Sequence, residues 1–154
     1  MKKLLYVFCL GFSLISVQAC KKDTVEPAAP VVVGRWEVNR GQLSGFIAPY
    51  TNLNNAAIDL YYYDFGSFAS RLDIRADKSF TNNLRQGGEV VDAVGTWEYT
   101  SPTLTLNYDD GDDEDYTYTS AAGVEELAAE AQNITFPLSA TSSASGQLRS
   151  IYRK

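Results

Sequence analysis

The sequence predicts an all-β domain, an antiparallel up-and-down meander that closes into a barrel of about eight strands, with one short helix before the C-terminal strands. Three observations carry this. Apolar and polar residues alternate with period two in run after run beyond residue 34, the pattern of strands that bury one face. The runs are short, and Gly, Asp, Ser and Pro fall between them, which suits hairpin connections. A series of consecutive hairpins leaves two open edges unless it closes on itself.

The N-terminus stands apart from that domain. MKKLLYVFCLGFSLISVQAC places Lys2 and Lys3 before an apolar run from Leu4 to Val17. Spanning a bilayer takes about 20 apolar residues, so residues 1–19 are expected to be a cleaved secretory signal peptide. The boundary Val17-Gln18-Ala19-Cys20 resembles the lipobox of bacterial lipoproteins. That resemblance implies Cys20 as the first mature residue, with a diacylglycerol on its sulfur and a further acyl chain, such as palmitate, on its amino group. Cysteine usage agrees: Cys9 would leave with the leader, so Cys20 becomes the sole thiol and no internal disulfide can form. In the Gram-negative sorting this resembles, Asp after the Cys holds a lipoprotein at the inner membrane. Lys21 stands there, which implies the cell outer membrane, with the leaflet left open. Residues 20–30, which include DTVEPAAP, read as the acylated Cys and a flexible tether. The domain is assigned to residues 31–154.

The strands follow in order. Trp36 and Val38 alternate with Arg35 and Glu37; Leu72 and Ile74 with Arg71 and Asp73; Phe80 with Ser79 and Thr81. Trp97 and Tyr99, then Leu104, Leu106 and Tyr108, then Tyr116 and Tyr118 continue the pattern. Ile134, Phe136 and Leu138 precede a last strand over residues 147–153. A tight loop at Thr100–Thr103 sets Tyr99 against Leu104 and Trp97 against Leu106, apolar on apolar. The next connection, DDGDDED, must hold an odd number of loop residues, three or more, or a bulge, because a one-residue slip turns every side chain to the wrong face. Val124, Leu127, Ala128 and Ala131 share one helical face, with Glu125 and Glu126 in the first turn, so a short helix is expected over Val124–Gln132. Residues 41–70 read as a long aromatic-rich loop with a strand near Leu60–Phe65.

Composition narrows the chemistry. Without Lys2 and Lys3 the chain has 11 basic and 19 acidic side chains, which disfavours a nucleic-acid partner. Histidine is absent; with no free thiol either, Ser-His and Cys-His nucleophilic sites are excluded. No motif selects a catalytic carboxylate pair, and the expectation is a non-enzymatic protein without catalytic residues or cofactor. The acidic run Asp109–Asp115 does not follow the EF-hand spacing and reads as a solvated hairpin tip, not a metal site.

Both tryptophans stand in a Gly-x-Trp-Glu setting, Gly34-Arg35-Trp36-Glu37 and Gly95-Thr96-Trp97-Glu98. The first, at the head of the first strand, resembles the Gly-x-Trp of lipocalins. With Asp77–Phe80 (DKSF), Gly95–Trp97 and the L-x-L-x-Y-x-D-G strand at Leu104–Gly111, the chain is similar to the lipocalin-like domains of bacterial lipoproteins. The resemblance implies a lipocalin-like β-barrel and a barrel-closing Trp36 packed against an Arg of the final strand, Arg153 or Arg149. It also implies a small hydrophobic ligand. The doubled motif reads as one structural solution used twice, since Gly admits a bulky ring or a close backbone approach. Seven aromatics between Phe46 and Phe68 suggest a ligand cavity opening beside that stretch, with Tyr61, Tyr63 and Phe65 on one extended face. Two functions stay open: a lipid-anchored envelope protein that binds a small hydrophobic molecule, and an envelope interaction module with a filled barrel.

Overall fold

The protein is described here from a computed structural model. It covers residues 28–63 and 68–154. The leader, Cys20 and Phe65 lie outside the described residues, as does the side chain of Tyr63. Ten antiparallel strands form one sheet: β1 (Gly34–Ser44), β2 (Ala57–Ile58), β3 (Ala69–Ile74), β4 (Ser79–Gln86), β5 (Glu89–Thr100), β6 (Thr103–Tyr108), β7 (Asp113–Ala121), β8 (Val124–Ala129), β9 (Gln132–Ser139) and β10 (Ser142–Arg153). A 3-10 turn at Thr51–Leu53 and a single helical turn, α1 (Leu60–Tyr63), complete the elements. The strand order is β2-β1-β3-β4-β5-β6-β7-β8-β10-β9, and β1 also pairs with β10. That last pairing closes an eight-stranded antiparallel barrel from β1, β3 to β8 and β10, as the alternation predicts. Closure removes the edges that the eight-stranded meander would otherwise expose, and β2 and β9 flank it as edge strands.

β1 and β10 are longer than the barrel needs. The first half of β1 pairs with β3, from Gly34 opposite Ile74 to Glu37 opposite Arg71, and its second half with β2. Likewise β10 pairs with β8 near its end and with β9 near its start. The register between them slips at Asn39, with Val38 opposite Tyr152 and Arg40 opposite Ile151. The extra residue moves the buried face from Trp36 and Val38 to Gly41 and Leu43, the effect of a β-bulge. Beyond the bulge the strands carry a second, smaller core of Leu43, Phe46 and Ala144, with Ile134, Phe136 and Leu148 packed against it. Gly146 leaves space for the Phe46 ring, which a Cβ there would meet at 2.4 Å. Asn54 pins the Phe46 backbone at both its N–H (2.8 Å) and its carbonyl (2.9 Å).

Two expectations are corrected. The helix expected over Val124–Gln132 is strand β8, paired on both sides: Leu127 stands opposite Tyr118 on β7 and Tyr152 on β10. Its Ala, Leu and Glu residues favour a helix locally, but pairing along its whole length with β7 and over Glu126–Ala128 with β10 outweighs propensity. Ala122 and Gly123 both have positive φ (52° and 79°) and join Ala121 to its partner Val124, a two-residue hairpin of the type that twists with its strands. The strand expected near Leu60–Phe65 is instead β2 followed by the helical turn α1, so Tyr61 and Tyr63 share no extended face. The hairpin registers hold. Tyr99 faces Leu104 and Trp97 faces Leu106. Tyr108 N–H donates to Asp112 O, which leaves an odd three-residue loop, Asp109–Gly111.

Inward-facing residues stack in layers along the barrel. At the end where β1 begins, Trp36, Leu72, Phe80, Trp97, Leu104 and Leu127 form a fully buried core. The barrel is filled at this end, which we call the floor. The glycines explain both Gly-x-Trp motifs. Gly95 lies between Phe80 on β4 and Tyr108 on β6. With no side chain between them, the two rings meet edge to face at 5.0 Å. Gly34, at φ 140°, admits the Lys154 side chain, whose Cε would lie 2.7 Å from a Cβ there. Each indole N–H donates 2.8 Å to a backbone carbonyl, Trp36 to Val32 and Trp97 to Arg75. Each ring has an ammonium near it, Lys154 at 5.0 Å and Lys78 at 3.8 Å.

Candidate functional site

One step up the barrel from the floor core, the inward positions turn polar. On β3 Ser70 follows Leu72, on β4 Asn82 follows Phe80, on β6 Tyr108 follows Leu106, and on β7 Glu114 follows Tyr116. These side chains form one directed chain of hydrogen bonds across the lumen. Tyr152 Oη donates to Ser70 Oγ (2.9 Å), and Ser70 Oγ to Asn82 Oδ1 (3.1 Å). Asn82 Nδ2 donates to Tyr108 Oη (3.1 Å), which donates to Glu114 Oε2 (2.9 Å). Tyr116 Oη donates to the same oxygen (2.7 Å). Every donor points toward the Glu114 carboxylate. Burial, and then the Glu114 charge, push the Tyr108 hydroxyl well above the usual tyrosine range. Tyr116 and Tyr152 are raised first by burial as well. The three phenols therefore remain donors at neutral pH. Among the described residues no buried side-chain nitrogen or oxygen lacks a partner, so the layer is a satisfied network, the condition under which buried polar groups are tolerated.

Above this layer the barrel is hollow. A cavity of about 590 Å³ opens at the end opposite the floor, within the range of about 300–1,000 Å³ typical of small-molecule sites. Its base is the polar layer. One wall is apolar, with Leu84 and Val91 from the β4–β5 hairpin, Phe68, Leu60 and Leu148. The other is the β6–β7 hairpin, which contributes Asp110, Asp112, Asp113 and Glu114. Gly87 and Gly88, at φ 59° and 86°, make the β4–β5 turn, so the apolar wall continues the strands directly. A side depression shares Asp113, Glu114 and Gln132 with the cavity and adds Asp115 and Glu130.

Trp36 is buried at the floor, on a strand that pairs with the final strand. The cation over its ring is Lys154 rather than Arg153 or Arg149. Arg153 faces outward and joins Arg40 on the Glu126 carboxylate, at 2.7 Å each; Arg149 stands opposite Gln42, farther along β10. Tyr61 is 44% exposed and packs edge to face on Tyr62. From the aromatic stretch, Phe68 and its neighbour Leu60 reach the cavity wall. Phe46 belongs to the second core. The polar layer was not singled out from sequence, though a signal for it exists. Ser70, Asn82, Tyr108 and Glu114 all continue the inward period-two frame of an apolar run, and a polar residue in that frame marks a lumen group. Comparison of the chain with models of protein families, with curated proteins and with solved structures gives no match.

Proposed function

We propose that the protein is a lipid-anchored component of the cell envelope whose barrel binds a small hydrophobic molecule at its mouth. The observation that carries the reading is the division of the lumen. The floor half is packed solid, whereas the mouth half holds a cavity of about 590 Å³ with an apolar wall and a polar base. A purely structural barrel of this size can fill its interior with side chains. Here the fill stops at a satisfied hydrogen-bond layer, and the space above it, of the size of a small-molecule site, sets an apolar wall against polar and acidic groups. The closed eight-stranded antiparallel barrel is also what the lipocalin resemblance leads one to expect.

The anchor is proposed on the lipobox-like Val17-Gln18-Ala19-Cys20 and the position of Lys21, which favour acylation of Cys20 and the outer membrane. Residues 28–33 lead into β1 at the floor, and the mouth opens at the opposite end of the barrel. The binding reading is tested by titrating the full chain with apolar probes while following Trp and Tyr fluorescence, with Leu84→Trp as a variant that fills the mouth. Binding below millimolar concentration that is lost in Leu84→Trp supports the reading. If no probe binds in that range, the binding reading fails and an interaction module takes its place.

A further inference from the structure

We infer that the occupant of the mouth cavity is a small organic cation with an apolar body, such as an alkylammonium or an aromatic amine; the inference rests on the mouth being a binding site. Three observations support it together. First, the lining is divided by chemistry: Leu84 and Val91 face the ligand from one hairpin, and the carboxylates of Asp110, Asp112, Asp113 and Glu114 from the other. A molecule lying across the mouth meets hydrocarbon on one side and negative charge on the other. Second, that charge is uncompensated. No Lys or Arg is among the described residues that line the cavity or its side depression. The ion pairs among the described residues lie elsewhere, at Asp73, Glu125 and Glu126. A cleft lined by one sign of charge, with a low-dielectric wall opposite, concentrates ligands of the other sign.

Third, the polar base offers acceptors, and its hydroxyl donors are spent within the layer. The hydroxyls of Tyr152, Ser70, Tyr108 and Tyr116 and the Asn82 amide all donate within the layer, toward Glu114. A fatty-acid carboxylate placed here would meet four carboxylates and, for donors, only the neutral side chains of Gln86, Gln132 and Ser150. An ammonium finds the reverse. A metal ion fits poorly, because calcium takes six to eight oxygens converging on one point. Among the described residues no three carboxylates are grouped to hold one. The charges are strung along a hairpin, an arrangement suited to a bulky or delocalised positive group.

The test holds the tail constant and changes the head. The full chain is titrated by calorimetry with octyltrimethylammonium, octanoate and octanol, at low and at high salt. The expected result is binding of the ammonium at least about tenfold tighter than octanoate at low salt, the scale of one or two nearby surface charges, with the gap narrowing at high salt. Replacing two rim carboxylates, Asp112→Asn with Asp113→Asn, is expected to weaken the ammonium several-fold (roughly the same electrostatic scale) and to leave octanol unchanged. If octanoate or octanol binds as tightly as the ammonium, or if the double substitution leaves ammonium affinity unchanged, the charge preference is overturned while the mouth stands as a binding site. If none of the three binds, both the preference and the binding reading fall.

Discussion

Gly95→Ala is the sharpest test of how the barrel is packed. Gly95 sits where β4, β5 and β6 come together, and an added Cβ would lie 2.0 Å from the Asn107 carbonyl oxygen and 2.9 Å from the Phe80 ring. Carbon and oxygen in close contact keep about 3.3 Å apart, so β5 and β6 must separate locally by about 1 Å or more. Two losses follow. Overpacking a filled site costs about 1–3 kcal/mol. The Phe80–Tyr108 edge-to-face contact at 5.0 Å is weakened, which costs about 0.5–1.5 kcal/mol more. Together these give about 3 kcal/mol, which for a domain of this size lowers Tm by about 10 °C. The assay is urea and thermal unfolding of Gly95→Ala beside Gly87→Ala. Gly87, unlike Gly95, has positive φ (59°), but a Cβ there meets nothing within 4 Å, so only a backbone cost of about 1–2 kcal/mol is expected. If Gly95→Ala unfolds within a degree or two of wild type, or costs no more than Gly87→Ala, the account of the Gly-x-Trp motif as a close-approach device is wrong.

Acid should remove a defined part of the stability. The Glu126 carboxyl is held down from 4.5 to about 2, chiefly by hydrogen bonds from Arg40 that outweigh desolvation, and then by Arg153. A depressed carboxyl stabilises fully above its unfolded value and loses that contribution as pH falls through the folded value. The loss should therefore fall between pH 4.5 and about 2, and with solvent screening at this partly exposed site it amounts to about 1–3 kcal/mol. Urea melts across that range should show it, and Glu126→Gln should flatten the dependence; an unchanged pH profile in the variant would contradict the assignment. Asn82→Leu removes two 3.1 Å hydrogen bonds from the polar layer and should cost about 1–3 kcal/mol in a urea melt, with the loss in a double-mutant cycle with Tyr108→Phe less than additive. A fully additive cycle would mean the two side chains act independently. Cys20→Ala should release the protein from the membrane fraction, and a variant that stays as firmly bound as wild type would end the lipid-anchor proposal.

Where burial and pairing speak with one voice, the sequence was readable. Trp97 and Tyr99 alternate in phase with Leu104 and Leu106, and only one register puts all four on the same face; that register is the one observed. The β6–β7 loop followed from the same parity. β8 was hidden because its residues are good helix formers and its hydrophobic spacing satisfies a helix as well as a strand. The decisive information, a row of partners on β7 and another on β10, is not local. The role of Lys154 is illegible in the sequence for a different reason. The lipocalin resemblance implies an Arg of the last strand, and parity does not separate Arg153 from Arg149; but Arg153 is drawn outward by Glu126, and the space beside Trp36 exists only because Gly34 has no side chain. In the aromatic stretch, the 3-10 turn, β2 and α1 follow one another within a few residues, too briefly for any periodicity to register. The mouth cavity was expected near that stretch on aromatic density alone. Its polar base and acidic wall come from strands far away in sequence.

The proposed function stands or falls with a ligand in the mouth above the polar layer. Backbone amide chemical shifts of the full chain, followed by NMR as octyltrimethylammonium is added, test it most directly. Saturable shifts are expected at Ser70, Asn82, Leu84, Tyr108 and Glu114, which line the cavity on four strands. Little change is expected at the floor around Trp36 and Leu72, which are sealed from solvent. Shifts confined to the exposed apolar residues Tyr62 and Val90, which are 76% and 63% accessible, or shifts that fail to saturate, would contradict the proposed function.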